Sequence, residues 1–244
     1  MRIAILSDIH ANLEALVAVE AALGRLAVDR VVCTGDVVGY GASPNACCER
    51  IRDLASFTLL GNHDAAVAGR MEYGYYYDAA RHAIDWTAQE LDPDHLTWLR
   101  SLPYARRADD VAFSHGSPIE PGEFAYVFAL EQARELVAHR ERLAPVTFIG
   151  HSHLCKAFAL DRQGGVEEVS GLALQLDPER RYIVSVGSVG QPRDYDNRAC
   201  FVTFDTEAQR AEYHRVPYDI TRSAQRIFDA SLAPNFGKRL FLGV

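Results

Sequence analysis

Residues 3–10 have the sequence IAILSDIH, in which a short apolar run leads directly to an aspartate and a histidine. A run of this length before a polar turn is typical of a buried β-strand. Strand-like runs recur at 30–33 and 57–60, and apolar side chains at helical spacing separate them. This alternation predicts an α/β fold with a largely parallel sheet and helices packed on it.

The second half of the chain follows a different pattern. Residues 76–102 are predicted to be helical with a break at Asp92-Pro93, and 104–113 to form a hairpin that turns at Asp109-Asp110. Further helices are predicted at about 128–143 and about 220–232. Short strands are predicted at 146–149, 155–160, 166–169, 182–186, 199–204 and 211–216. Strand–helix alternation followed by a run of strands predicts two sheets in one domain.

The composition narrows the functional classes. Of the 244 residues, 48% are hydrophobic and 24% are charged, which is typical of a globular protein. The net charge of −8 argues against a protein whose main task is binding nucleic acid. No apolar run reaches the ~18 residues of a membrane span, and Asp8 and His10 interrupt the stretch that a signal peptide would need. Five cysteines without a CxxC pair predict reduced thiols and a cytoplasmic protein.

Polar residues that can bind metal follow five separate apolar runs. The motifs are SDIH at 7–10, GDVVG at 35–39, GNHD at 61–64, SHG at 114–116 and GHSH at 150–153. Because the carboxyl ends of strands in an open α/β sheet share one edge, these motifs are expected to meet there. The side chains brought together would be Asp8, His10, Asp36, Asn62, His63, His115, His151 and His153.

Each motif has an ordinary structural explanation when it is taken alone. Asp36 follows a glycine and is a typical turn residue, and Asn62 tolerates the left-handed backbone region. His151 and His153 would point to one side of an extended chain, as two solvated histidines also would. Five such clusters after five apolar runs are not expected by chance, and together they favour a metal site.

The residue types indicate the metals and the reaction. Carboxylates, imidazoles and an amide without thiolates suit Mn, Fe, Zn, Co or Ni, of which Mn is favoured. Seven candidate ligands exceed the needs of one tetrahedral ion, so Asp36 could bridge two divalent ions. Two ions about 3.5–4 Å apart, with a hydroxide between them as the nucleophile, are used for displacement at phosphorus. His63 lies next to Asn62 and is a candidate general acid, with Asp64 orienting its ring.

The five motifs, in this order and at this spacing, resemble the signature series of the calcineurin-like metallophosphoesterases. The resemblance covers about residues 1–205, with about 206–244 as a strand-and-helix extension of a single domain of residues 1–244. The compact length and the segment GSVGQPR at 187–193 are similar to the bacterial and archaeal branch of small phosphodiesterases and diadenosine-tetraphosphatase-like proteins. The resemblance implies a four-layer sandwich of two facing mixed β-sheets flanked by helices.

The resemblance also implies how two ions share the ligands. The first ion would be held by Asp8, His10, Asp36 and His153. The second ion would be held by Asp36, Asn62, His115 and His151. In the same way, His63 would donate a proton to the leaving group and Asp64 would support it.

Two aromatic segments lie close to the motifs in the sequence. The first spans residues 72–77 and contains Tyr75 and Tyr76, and the second spans residues 124–128. Their rings could stack on the nucleobases of a substrate, or they could fill the core or an interface between two copies. Arg193 could hold a substrate phosphate with two N–H groups, or its segment could be a tight turn that supports His153.

The leading hypothesis is a dinuclear metal-dependent phosphoesterase that cleaves a small phosphate ester or anhydride. Dinucleoside polyphosphates such as diadenosine tetraphosphate are the first substrate class to consider, and a generic phosphodiesterase or a phosphoprotein phosphatase is the alternative. A non-catalytic interaction protein is a remote alternative, because the retromer scaffold subunit of this superfamily has the fold without the catalytic apparatus. The expected partner is a small phosphorylated substrate, a nucleotide first; neither a membrane nor nucleic acid is expected, and a homo-oligomer stays open.

Overall fold

The structure is a computed structural model that describes residues 1–108 and 110–244. Within these residues the chain forms twelve β-strands and eight α-helices. The strands are Arg2–Leu6 (β1), Arg30–Cys33 (β2), Phe57–Thr58 (β3), Ala105–Ala108 (β4), Val111–Ser114 (β5), Val146–Ile149 (β6), Cys155–Leu160 (β7), Val166–Val169 (β8), Ala173–Gln175 (β9), Arg181–Val186 (β10), Ala199–Asp205 (β11) and Arg210–Val216 (β12).

The α-helices are short, and two 3₁₀-helices accompany them in the described residues. The α-helices are Leu13–Leu23 (α1), Pro44–Leu54 (α2), Asn62–Val67 (α3), Asp78–Glu90 (α4), Pro93–Ser101 (α5), Leu130–Glu135 (α6), Ile220–Asp229 (α7) and Pro234–Leu242 (α8). The 3₁₀-helices are Pro121–Glu123 and Leu136–Arg142. None of the described helices combines the length and the apolar character that a membrane crossing requires.

The strands form two six-stranded mixed sheets. The order is β3-β2-β1-β11-β12-β9 in the first sheet and β4-β5-β6-β10-β7-β8 in the second. In the first sheet β1, β2 and β3 run parallel, whereas β11 joins β1 antiparallel. The α/β class and the two mixed sheets are confirmed. The largely parallel sheet expected from the first sixty residues is wrong, because β11, β12 and β9 extend it in antiparallel pairings.

The apolar run of β1 is buried on both of its faces. Ile3 and Ile5 belong to the core between the two sheets, together with Phe148 of β6. Leu6 belongs to the core on the outer face of the first sheet. A strand covered on both faces needs apolar residues at every position, which explains the unbroken run at 3–6.

Helices cover the outer face of each sheet. Leu16 of α1 and Ile51 of α2 share a core with Leu6 on the first sheet. On the second sheet, Ala133 of α6 packs in a separate core with Phe158 of β7. The layers therefore run helices, sheet, sheet, helix, which confirms the four-layer sandwich that the resemblance implied.

The C-terminal helices pack on the loop that follows β2. Phe236 and Leu240 of α8 share a buried cluster with Tyr40, which directly follows the motif at 35–39. The ring centroids of Phe236 and Tyr40 lie 4.9 Å apart. Helix α8 is therefore positioned beside one of the five polar motifs.

The patterns in the sequence miss several short elements. They predict neither α3, β9 nor α8, and the helix predicted at 128–143 is divided into α6 and a 3₁₀-helix. The strand predicted at 57–60 pairs only over Phe57–Thr58. The hairpin predicted near residue 109 is formed by β4 and β5, but Asp109 of its turn lies outside the described residues.

We expect Phe148→Ala to lower the free energy of unfolding by about 3–5 kcal/mol, because it opens a cavity between the two sheets. Phe148 is fully buried, and the ring centroids of Phe113 and Phe204 lie 5.9 and 5.3 Å from its own. Phe241→Ala removes the same side chain where it is 46% exposed, and it should cost less than about 1 kcal/mol. Urea unfolding measures both; equal losses would contradict the place of Phe148 in the core.

Candidate metal centre

The five polar motifs meet because the ends of five strands from both sheets converge. Three motifs lie at the ends of β1, β2 and β3 in the first sheet, and two lie at the ends of β5 and β6 in the second. Backbone hydrogen bonds tie neighbouring motifs together. The Asp8 amide donates to the Gly35 carbonyl (3.0 Å), the His10 amide to the Asp36 carbonyl (2.9 Å), and the Gly150 amide to the His115 carbonyl (2.8 Å).

One group of ligand atoms comes from both sheets. The Nε2 atoms of His10 and His153 lie 3.1 Å apart, and His153 Nε2 lies 3.3 Å from Asp8 Oδ1. Asp36 Oδ2 lies 3.6 Å from His10 Nε2. Atoms this close to one another can all reach a single ion placed between them.

A second group shares Asp36 with the first. His115 Nε2 lies 3.3 Å from Asp36 Oδ2 and 3.2 Å from Asn62 Oδ1. His151 joins them, since its ligand atom lies within 4.8 Å of those of Asp36 and His115. The structure thus brings together all seven residues that the sequence indicates as metal ligands, and Asp36 lies between the two groups.

Three of the histidines turn Nε2 toward the centre. In each, Nδ1 faces a backbone carbonyl, and a carbonyl oxygen can only accept a hydrogen bond. The pairs are His10 with Val38 (3.1 Å), His115 with Thr34 (3.0 Å) and His153 with Gln191 (2.6 Å). Nδ1 therefore carries the proton, as is usual for metal-binding histidines. Two facing lone pairs on His10 and His153 are unfavourable by themselves, and a cation between them relieves that repulsion.

Burial controls the charge of these groups. The seven side chains are at most 6% exposed. Burial lowers the pKa of His10, His151 and His153 well below the ordinary value, so these rings are neutral and able to bind a metal. Burial likewise raises the pKa of Asp8. A buried carboxyl group of this kind becomes a stable anion when a cation lies next to it.

Asp36 and His115 show that the site attracts positive charge. Burial raises the pKa of Asp36, but the charges of His115 and His63 outweigh it and hold the pKa below its usual range. Burial lowers the pKa of His115, but Asp36 and Asp8 outweigh that effect and raise it. The donor set therefore fits divalent cations, and its oxygen and imidazole atoms suit the metals expected from the sequence.

Five of the seven candidate ligands have a left-handed backbone. Their φ angles are 53° at Asp8, 47° at His10, 53° at Asp36, 67° at His151 and 60° at His153. Such angles are uncommon outside glycine and cluster at functional sites. The extended chain expected at 151–153 is therefore wrong. The His151 amide instead turns toward Asp8 and donates to both of its carboxylate oxygens, at 3.2 and 3.1 Å.

His63 lies beside this cluster, with a ring nitrogen within 4.8 Å of ligand atoms of His10 and Asp36. Its Nδ1 is buried and has no hydrogen-bond partner among the described residues. A Cβ atom on Gly39, where φ is 90°, would lie 2.6 Å from His63 Nδ1. Glycine at position 39 therefore makes room for the ring.

Asp64 does not orient the His63 ring as expected. Its Oδ1 accepts from the Val38 amide at 3.1 Å and its Oδ2 accepts from the Gly61 amide at 3.2 Å. The reason is local, since α3 begins at Asn62 and Asp64 lies in its first turn, where a carboxylate accepts from unpaired backbone amides. Asp64 thus ties the 35–39 motif to the start of α3.

Aromatic side chains form a cavity next to the cluster. It has a volume of about 460 Å³, and Tyr75, Tyr76 and Tyr126 line it together with His63 and His151. The Tyr126 ring stacks on His151, with centroids 3.8 Å apart and planes 14° apart. The Tyr76 hydroxyl accepts a hydrogen bond of 2.6 Å from Asn62 Nδ2, and Tyr75 is 75% exposed. Both tyrosines singled out from the sequence thus lie at the cavity.

Arg193 lies near the centre together with three residues that the sequence analysis misses. Its amide donates to the His153 carbonyl at 3.3 Å, and its guanidinium lies 5.8 Å from the centroid of the Tyr40 ring. The three missed residues are Tyr40, Gln191 and Arg239. Tyr40 directly follows the 35–39 motif and Gln191 lies within the 187–193 segment, so both could have been found there, whereas no motif marks Arg239 on α8.

The four-layer fold and the buried cluster of carboxylates, imidazoles and an amide define a metal-dependent phosphoester hydrolase. Residues 1–209 match the model of the calcineurin-like phosphoesterase superfamily domain, and the chain belongs to that family. The resemblance seen in the motifs is thereby confirmed.

Similar proteins match almost the whole chain. It is 37% identical over 245 residues to the uncharacterized protein MJ0912 of Methanocaldococcus jannaschii, covering 99% of this chain and 98% of that protein. A metallophosphoesterase structure from Sphaerobacter thermophilus is 37% identical, with a TM-score of 0.85 and 100% and 99% of the two chains covered. The protein PH1004 of Pyrococcus horikoshii OT3 has the same fold, with a TM-score of 0.80, 19% identity and coverages of 100% and 98%. The similarity therefore includes the C-terminal helices.

We expect Asp36→Asn to weaken Mn²⁺ binding by at least the ~10–100-fold that loss of an outer partner of a metal ligand costs. The reason is that Asp36 Oδ2 faces both groups of ligand atoms, so both lose a negative donor. Asp53→Asn, an exposed change on α2, is the matched control. Metal content after dialysis and the rise of Tm on adding Mn²⁺ measure the effect; wild-type binding by the Asp36 variant would refute the shared-carboxylate arrangement.

Proposed function

We propose that the seven ligand residues hold two divalent ions, with Mn²⁺ as the first metal to test. Asp8, His10, Asp36 and His153 would bind one ion, and Asp36, Asn62, His115 and His151 the other. The support is the shared position of Asp36 Oδ2, 3.6 Å from His10 Nε2 and 3.3 Å from His115 Nε2. Two such ions, when bound, supply positive charge for phosphate oxygens and lower the pKa of a water molecule.

The substrate that we propose is a nucleotide ester or anhydride, with dinucleoside polyphosphates such as diadenosine tetraphosphate first. One observation carries this choice: the aromatic cavity of about 460 Å³ shares His63, Asn62 and His151 with the metal centre. A phosphate at the centre would therefore leave an attached nucleoside next to Tyr75, Tyr76 and Tyr126. Stacking on aromatic rings stabilises a base without regard to its identity.

His63 is the proton donor to the leaving oxygen in this proposal. Its ring lies between the metal centre and the aromatic cavity, as its contacts with His10 and Tyr76 indicate (ring centroids 5.0 and 5.9 Å away). Burial lowers the pKa of His63 to about 4. The negative charge of a phosphate beside the ring opposes this effect and favours the protonated form that can donate. Asp64 would support this step through the backbone, by holding the loops on both sides of His63.

The free cysteines and the packing of the C-terminal segment support a single domain that works in the cytoplasm. All five cysteines are free thiols, which a reducing compartment maintains. β12 pairs with β11 along its whole length, and α8 packs on Tyr40, so the C-terminal segment is joined to the part that carries the motifs. We propose that residues 1–244 act as one unit on this basis.

The function is tested by product analysis on Mn²⁺-loaded protein, offered diadenosine tetraphosphate and bis(p-nitrophenyl) phosphate in parallel. We expect His63→Ala to keep its metal and to lose about 10²–10⁴-fold in kcat on diphenyl phosphate, whose phenolate leaving group needs a proton. The loss should be smaller with p-nitrophenolate, which leaves without one. His82→Ala, an exposed change on α4, is the matched control.

The outcomes separate the alternatives. Cleavage of the dinucleotide by wild type supports the proposal. Cleavage of the diester alone would replace it with a generic phosphodiesterase, and an equal loss for phenolate and p-nitrophenolate as leaving groups would refute the role of His63. No cleavage with metal bound would direct the search to phosphoproteins, and tight binding of a protein partner without any activity would indicate a scaffold.

The tyrosines that line the aromatic cavity give a second prediction for the same substrate. Stacking is worth about 1–3 kcal/mol per base, so the combined change Tyr75→Ala and Tyr76→Ala should raise KM for diadenosine tetraphosphate by about 5–140-fold. Tyr76→Phe keeps the ring and removes the hydroxyl that Asn62 contacts, which isolates stacking from that hydrogen bond. Tyr195→Ala, where the side chain is 86% exposed, is the control. An unchanged KM in the double variant would remove the stacking hypothesis.

A further inference from the structure

Two arginines meet beside the metal centre at one glutamine. Arg193 Nη2 donates to Gln191 Oε1 at 2.9 Å, and Arg239 Nη2 of α8 donates to the same oxygen. Gln191 is 2% exposed, so this shared acceptor is buried. A single neutral carbonyl oxygen therefore serves two guanidinium groups, which together carry two positive charges and ten N–H bonds.

Neither guanidinium has an anionic partner in the described part of the chain. The Nε atoms of Arg193 and Arg239 are buried without any hydrogen-bond partner there. Arg215 shows the usual arrangement, because its guanidinium pairs with the carboxylate of Asp194. Burial and the charge of Arg193 both lower the pKa of Arg239. Two like charges held together at half-buried positions repel each other, and an anion between them relieves that repulsion.

Packing contacts hold Arg193 and Arg239 next to the metal centre. Both guanidiniums lie over the Tyr40 ring, at 5.8 Å for Arg193 and 4.7 Å for Arg239. The same ring lies 4.7 Å from the His10 ring and 4.3 Å from the His63 ring, measured between centroids. Both guanidiniums and the rings of His10 and His63 therefore contact the same tyrosine ring.

Rigid contacts fix both arginines. The Gln191 carbonyl accepts from His153 Nδ1, so one residue positions a candidate metal ligand with its backbone and both arginines with its side chain. The end of α8 is tied to the loop after Arg193, since Asn197 Nδ2 donates to the Phe241 carbonyl at 3.0 Å. A site built in this way is preorganised for its ligand.

We propose that Arg193 and Arg239 bind a second phosphate group of the substrate, next to the phosphate that is cleaved at the metal centre. This inference rests on the proposed function. A guanidinium donates two parallel hydrogen bonds to phosphate oxygens, and two guanidiniums match the charge of a phosphate dianion. The pair therefore selects substrates with at least two neighbouring phosphates, that is, nucleoside polyphosphates and phosphoanhydrides, over esters that have a single phosphate.

The test compares two inhibitors that differ by one phosphate. AMP and α,β-methylene-ADP, which has a P–C–P link that cannot be hydrolysed, compete with bis(p-nitrophenyl) phosphate for the Mn²⁺-loaded protein. In wild type the second phosphate should tighten inhibition. In Arg239→Gln the inhibition constant of AMP divided by that of α,β-methylene-ADP should fall by about 10–100-fold. This is the effect expected for the loss of a charge-assisted bidentate pair. Arg239→Lys keeps the positive charge but cannot donate two parallel hydrogen bonds, so it should restore the ratio only in part.

Controls separate binding from folding and from the activity itself. Lys238→Gln removes a neighbouring exposed charge from α8 and should leave the ratio at its wild-type value. Thermal unfolding shows whether Arg239→Gln keeps α8 packed; if it does not, Arg239→Lys carries the comparison. Calorimetric titration of α,β-methylene-ADP measures the site even if no ester is cleaved, so failure of the proposed function is recognised separately. If Arg239→Gln weakens the binding of AMP and α,β-methylene-ADP equally, or weakens neither, the ratio stays unchanged and the proposal is overturned.

Discussion

The carboxylate of Asp36 joins the chemistry of the site to the folding of the chain around it. Its Oδ2 faces the imidazoles of His10 and His115, while its Oδ1 accepts a hydrogen bond of 2.8 Å from the His63 amide. One oxygen thus serves the ligand cluster, and the other holds the start of α3. The chain passes so close at this point that a Cβ atom on Gly61 would lie 2.1 Å from Asp36 Oδ1. This contact therefore ties the 35–39 motif directly to the start of α3.

Assembling the cluster costs free energy, and the burial of apolar side chains in the two-sheet core compensates for it. Left-handed backbone at a residue such as Asp36 or His153 costs of order 1–3 kcal/mol, and buried ionisable groups add to that. These turns follow strands whose apolar residues are buried on both faces, as in β1 and β6. Because strand ends are held by a close-packed core, the loops that leave them have little freedom to relax. Folding energy is thereby used to hold ligands in place before any metal binds.

The sequence predicts the members of the cluster better than their geometry. Each member follows an apolar run, and strand order alone indicates that such positions meet. What the local sequence does not contain is the set of long-range contacts that decides the details. His153 has a φ of 60° in a loop whose His151 amide donates to Asp8, which lies 145 positions before His153 in the chain. Asp64 accepts from the Val38 amide because it lies in the first turn of α3, and this six-residue helix is too short to show a helical period in the sequence. The pairing of β1 with β11 has the same origin, since it joins residues about two hundred positions apart.

The family motifs and Arg239 come from different parts of the chain. The residues at the metal centre all lie within 1–209, the part that matches the family model, whereas Arg239 lies beyond it on α8. Phe236 and Leu240 anchor that helix on Tyr40, so the same packing that buries the C-terminal segment brings a guanidinium to the site. The proposed phosphate contact of Arg239 therefore depends on the packing of α8 on Tyr40 and not on the metal ligands.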